Sequence, residues 1–130
     1  MEKETIEFEF KQRIIKLKPP SSLATCLDFV CIWSTDINRA KFTRLCAGAI
    51  AVSAPAGRGL PSYDISQSDP IAFGHGAVEA LLNGGCNLAN VYTIGSKLLA
   101  QMAKSIPTDE DIENAENFTE AGAGRTPALV

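Results

Sequence analysis

Leu88, Tyr92, Gly95, Leu99, Met102 and Ile106 recur at steps of three and four residues, and Pro107 ends the run. That period lays one stripe along one face of an α-helix over 88–105, with Asn87 as its N-cap. A helix with such a stripe is marginal alone in water and needs other apolar faces to close on it. The rest of the chain is therefore read for what supplies those faces.

Three further segments carry helical signals. Residues 70–83 begin at Asp69-Pro70, an N-cap followed by Pro at the first helical position, and end at Gly84-Gly85. Their stripe is Ile71, Val78, Leu81 and Leu82. Residues 22–34 begin at Ser21 or Ser22, and Leu23, Cys26, Leu27, Val30 and Cys31 form a stripe. Phe29 and Trp33 lie on another face, which makes this helix apolar nearly all round. Ser34-Thr35-Asp36 breaks it and caps a helix over 37–53, with Phe42, Leu45, Cys46, Ala49 and Ile50 as the stripe. Arg39, Lys41 and Arg44 occupy its first half. Its second half, AGAIAVSA, is nearly all small, which permits close helix approach and belongs in the packed centre.

Ahead of the helices, Ile6, Phe8 and Phe10 alternate with Glu7 and Glu9, and Ile14-Ile15-Lys16-Leu17-Lys18 follows. A period of two predicts a two-stranded antiparallel hairpin over 4–18 with Glu opposite Lys, stopped by Pro19-Pro20. An isolated hairpin is marginal, so it leans on the helices or pairs through its edge with another chain. Residues 54–69 are rich in Pro, Gly, Ser and Asp and read as a long linker. After Pro107, TDEDIENAENFTEA predicts a short acidic helix over about 109–117, and EAGAGRTPALV a flexible tail. With 130 residues there is one core and not two. The expected fold is mainly α: a bundle of four to five helices with an N-terminal two-stranded β-hairpin and a flexible acidic C-terminal tail. Residues 1–107 form the domain, and 108–130 the short helix and tail.

Function classes narrow by exclusion. Net charge is −3, so general attraction to nucleic acid or anionic membrane is not expected. The charge is uneven: residues 1–58 hold nine Lys/Arg against six acids, and 59–130 hold three against nine. Phe8 and Phe10 alternate with Glu, which repels phosphate, so the bases suit an acidic protein segment better than nucleic acid, and residues 109–120 are one such segment. MEKETIEFEF has no apolar core of a signal peptide, and no run reaches membrane-spanning length, so a cytoplasmic protein is expected. The four cysteines, Cys26, Cys31, Cys46 and Cys86, make no C-x-x-C pair and read as reduced, mostly buried thiols.

No catalytic constellation is evident. His75 sits between two glycines, but no sequence signature ties it to a nucleophile and an orienting acid. Ala56-Gly57-Arg58-Gly59 lacks the Lys-Ser/Thr and the preceding strand of a phosphate loop, and reads as a flexible loop. The acids after residue 108 lack the spacing of a calcium loop. A protein without catalytic, metal or cofactor site is expected, acting by protein–protein contact.

The hairpin start, the compact helical body and I-P-T-x-x-D-I-E-x-A-x-N-F (Ile106 to Phe118) before a Gly/Pro tail resemble the small tail assembly chaperones of long-tailed bacteriophages. The resemblance implies a non-enzymatic factor in the host cytoplasm that binds the tape measure protein and recruits tail tube subunits. It also implies that residues 109–130 lead into the extension of a longer, frameshifted product. Apolar, small-residue-rich helices would offer a groove to an amphipathic partner helix, and the hairpin edge a route to self-association. The residues expected at protein contacts are Phe8 and Phe10 on the hairpin, Arg39, Lys41 and Arg44 on the second helix, and Asp109, Asp111 and Phe118 in the acidic segment. Two alternatives are a structural subunit of the phage particle and a small adaptor or inhibitor of a host protein.

Overall fold

The computed structural model describes residues 5–106. Strands β1 (Ile6–Phe10) and β2 (Arg13–Leu17) are followed by helices α1 (Leu23–Trp33), α2 (Arg39–Ser53), α3 (Pro70–Asn83) and α4 (Leu88–Lys104). This is the mainly α architecture with an N-terminal hairpin that the periodicities predict. The proposed short helix over 109–117 lies outside the described residues.

Side chains set the helix starts. Ser22 Oγ accepts from the Thr25 N–H at 3.3 Å, Asp69 Oδ1 from Ala72 at 3.2 Å and Asn87 Oδ1 from Asn90 at 2.7 Å. The cap of α2 is Asn38, accepting from the Lys41 N–H at 2.9 Å. That corrects the expected Ser34-Thr35-Asp36 start. Ser34 and Thr35 instead close α1, donating their hydroxyls back to the Val30 and Ile32 carbonyls.

Helix α2 is the axis of the body, buried from Leu45 to Ala51 and packed between α3 and α4. Its small residues set the spacing. A Cβ on Gly95 of α4 would stand 2.6 Å from Cys46 Cα and 2.8 Å from the Cys46 carbonyl oxygen. Only glycine permits this approach. Phe42 meets Tyr92 edge to face with centroids 4.9 Å apart. The contacts 42–92 and 46–95 step the same way along both helices, so α2 and α4 run parallel with their N-terminal ends together.

The buried face of α1 is not the expected one. Thr25, Cys26 and Phe29 are buried, whereas Leu23, Leu27 and Cys31 face solvent. A helix apolar nearly all round does not choose its face by pattern. The choice falls to Phe29, which meets Tyr63 at 5.2 Å and Phe73 at 6.5 Å between centroids. Tyr63 belongs to the 54–69 connection and donates its hydroxyl to Asp28 Oδ2 at 2.6 Å. Burial first, then the Asp28 hydrogen bond and charge, push the Tyr63 phenol well above its ordinary pKa. The long connection is thus pinned across α1 and α3.

The hairpin leans on the helices. Its register pairs Ile6 with Leu17, Glu7 with Lys16 and Phe8 with Ile15. Phe8, Phe10, Ile15 and Leu17 point inward and are buried. The Lys18 N–H donates to the Ser53 carbonyl at 2.9 Å and the Lys11 N–H to Gly84 at 3.0 Å, tying the end of β2 and the hairpin turn to the body.

Candidate protein-binding surface

The expected contact residues divide three ways. Phe8 and Phe10, expected at protein contacts, are each only 2 % exposed: the hairpin uses its aromatic face to close the core. The Phe10 ring lies against Gly84, where any Cβ would collide with it. Arg39 and Lys41 are exposed and Arg44 is half-buried. Asp109, Asp111 and Phe118 lie outside the described residues.

Around Arg39 and Lys41 the structure gathers more than the sequence suggested. Leu88 and Tyr92 remain 44 % and 47 % exposed, although they belong to the apolar stripe of α4. The buried residues of α4 are Val91, Gly95, Leu98, Leu99 and Met102. The reason is the start of α2. One turn before the Phe42–Tyr92 contact, α2 offers Arg39 and then ends at its Asn38 cap, so α2 has no apolar residue left to cover Leu88. A stripe that runs one turn past its neighbour's first charged residue was the available signal.

Positive charge gathers at this end of the molecule. Helix N-termini carry a partial positive charge and are usually matched by acids in the first turn. None of the four helices has one, α2 and α4 included. Arg39 and Lys41 add positive charge at the shared end, and no carboxylate among the described residues lies within 4.0 Å of either. The result is a positively charged helix end beside the Phe42–Tyr92 pair. Aromatics and Arg are the residue types that carry protein interfaces.

The remaining reactive groups are dispersed. His75 Nε2 lies 3.7 Å from Glu79 Oε2, one turn along α3, with both side chains largely exposed. Cys26 Sγ donates to the Pro20 carbonyl at 3.5 Å, and Cys86 Sγ to Glu9 at 3.5 Å. Burial pushes the Cys46 thiol up to about 11, opposed only weakly by a 3.9 Å contact with Ser96 Oγ. Burial and then the Glu9 charge raise Cys86. Such thiols stay protonated at neutral pH. Among the described residues no three His, Cys, Asp or Glu side chains gather as metal ligands, and no helix is long and apolar enough to cross a membrane. Comparison with protein-family models, with curated proteins and with solved structures finds no match.

Proposed function

We propose that this protein is a non-enzymatic protein-binding factor whose docking face is the shared N-terminal end of α2 and α4. The observation that carries the reading is the half-exposed Phe42–Tyr92 pair on the same helix ends as exposed Leu88, with Arg39 and Lys41 at the start of α2 and no carboxylate partner for either among the described residues. Its chemistry fits an amphipathic segment with acidic flanks: apolar side chains against Tyr92 and Leu88, carboxylates against Arg39 and Lys41. The layout resemblance gives the partner its most specific form. The factor is then a tail assembly chaperone, binding tape measure protein in the host cytoplasm and bringing tail tube subunits to it.

The test is co-expression with the tape measure protein of the same genome, followed by affinity capture. Tyr92→Ala, and separately Arg39→Glu with Lys41→Glu, reduce capture by about tenfold or more, the scale of losing an interface anchor. Mass spectrometry of purified particles finds the protein absent, as befits an assembly factor. Undiminished capture by both variants refutes the docking face. Stoichiometric presence in particles refutes the chaperone assignment and favours a structural subunit.

A further inference from the structure

On a different part of the molecule, the hairpin turn and the 57–59 loop enclose an open cleft of about 450 Å³. Its floor is Phe10 and Ile15, and its walls carry Lys11, Arg13 and Arg58. Among the described residues no carboxylate lies within 4.0 Å of any of these cations. Gly57, Arg58 and Gly59 complete the wall; the Arg58 N–H closes a turn over Ala56-Gly57, and the Gly57 and Gly59 N–H groups have no hydrogen-bond partner among the described residues. Gly57 and Gly59 have φ of 81° and 88°. Backbone with left-handed residues interleaved in this way can form concavities that favour anions.

The hairpin turn supplies an independent observation. Lys11 and Gln12 are its central residues, and both have positive φ, 55° and 62°. A two-residue turn of this kind strongly prefers Asn-Gly, because side chains with Cβ are strained there. The Lys11 side chain from this turn lines the cleft. Lys11 Nζ stands 5.3 Å from the Phe10 ring centroid and crosses directly over Gly59, where a Cβ would lie 2.7 Å from it. Phe10 is in turn wedged against Gly84. Departures from local turn chemistry concentrate at functional sites.

From these two observations we infer that the cleft between the hairpin turn and residues 57–59 binds a small phosphate-bearing anion. A single carboxylate offers one negative charge to the three cations, whereas a phosphate group brings between one and two, and a pyrophosphate more. The cleft volume leaves room for the group that carries the phosphate. No phosphate-loop motif is involved: the cations come from a β-turn, a strand start and a loop.

The experiment is a ¹⁵N NMR titration of the full chain with inorganic pyrophosphate at constant ionic strength, with chloride as control. The expected result is saturable shifts at the Lys11, Gly57, Arg58 and Gly59 amides, absent with chloride. Arg58→Gln weakens binding by about tenfold or more, the scale of one lost charge-assisted hydrogen bond. Lys11→Asn with Gln12→Gly does the same while raising the unfolding midpoint, because it installs the preferred turn and removes the ammonium. A purely structural Lys11 predicts the rise in midpoint with the pyrophosphate response intact, and that outcome overturns the inference. So does a response no stronger than that to chloride. If neutralising Asp109, Glu110 and Asp111 shifts these amides in anion-free buffer while pyrophosphate does nothing, the cleft belongs to the chain's own acidic segment and the inference also fails.

Discussion

Replacing Gly95 by alanine tests the packing of α2 on α4 directly. The added methyl would stand 2.6 Å from Cys46 Cα and 2.8 Å from its carbonyl oxygen, against ordinary carbon contacts of about 3.5–4.0 Å. The obstruction is backbone, so no rotamer change relieves it. The helices must separate by about 1 Å, loosening the interior around Leu45, Leu98 and Leu99. Overpacking of this kind costs about 1–3 kcal/mol, and the move from glycine to alanine in a helix returns at most about 1 kcal/mol. With a backbone clash the cost falls at the upper end, for a net loss of about 2 kcal/mol. Gly76 in α3 is the internal control: a Cβ there meets nothing within 4 Å, so Gly76→Ala gains about 0.5–1 kcal/mol. Urea unfolding followed by circular dichroism at 222 nm reads both. With a slope of roughly 1–2 kcal/mol per molar, Gly95→Ala lowers the midpoint by about 1 M or more while Gly76→Ala raises it. A Gly95→Ala midpoint at or above that of the unaltered chain refutes the close-packing argument.

Phe10→Ala costs about 3–5 kcal/mol in the same assay, the loss for a buried aromatic; a surface role would leave the midpoint unchanged. Tyr63 is held neutral in the folded state above the pH at which it ionises when unfolded, so its contribution is complete below about pH 10 and is lost as pH rises further. Absorbance titration at 295 nm shows a late-ionising phenol that Tyr63→Phe removes. Alkylation with iodoacetamide at pH 8, read by mass spectrometry, modifies exposed Cys31 first and reaches Cys26 and Cys46 only after urea is added.

The helices and the hairpin were legible because their signals are local. Asp69-Pro70, Asn87, Ser22 and Gly84-Gly85 mark ends that side-chain caps and, at Gly85, left-handed backbone fix within a few residues. The small second half of α2 was legible as the packed centre for the same reason: residue size is a local property. What the sequence hid were choices made between distant segments. Phe29 prevails over Leu23 and Leu27 because Tyr63 and Phe73 come to meet it. Tyr92 and Leu88 stay open because α2 begins at Arg39, a fact of helix length and not of α4's own periodicity. Of the expected contact set, Arg39 and Lys41 lie at the surface, while Phe8 and Phe10 are buried in the core. Their alternation with Glu reports two faces but not which one meets the body.

The hairpin's anchors have a consequence for the order in which the chain acquires structure. Cys86 and Glu9, joined by a hydrogen bond, are 77 residues apart, and Gly84 and Ser53 hold the hairpin turn and the residue after β2. On a ribosome β1 and β2 emerge long before these supports exist. A lone hairpin is too weak to persist, so Phe8, Phe10, Ile15 and Leu17 travel uncovered until α3 has been made. Closure of such distant partners is slow relative to helix formation. The nascent chain is therefore most prone to aggregate while this greasy N-terminal ribbon waits for its seat, and synthesis stalled before residue 84 would leave it permanently unhoused.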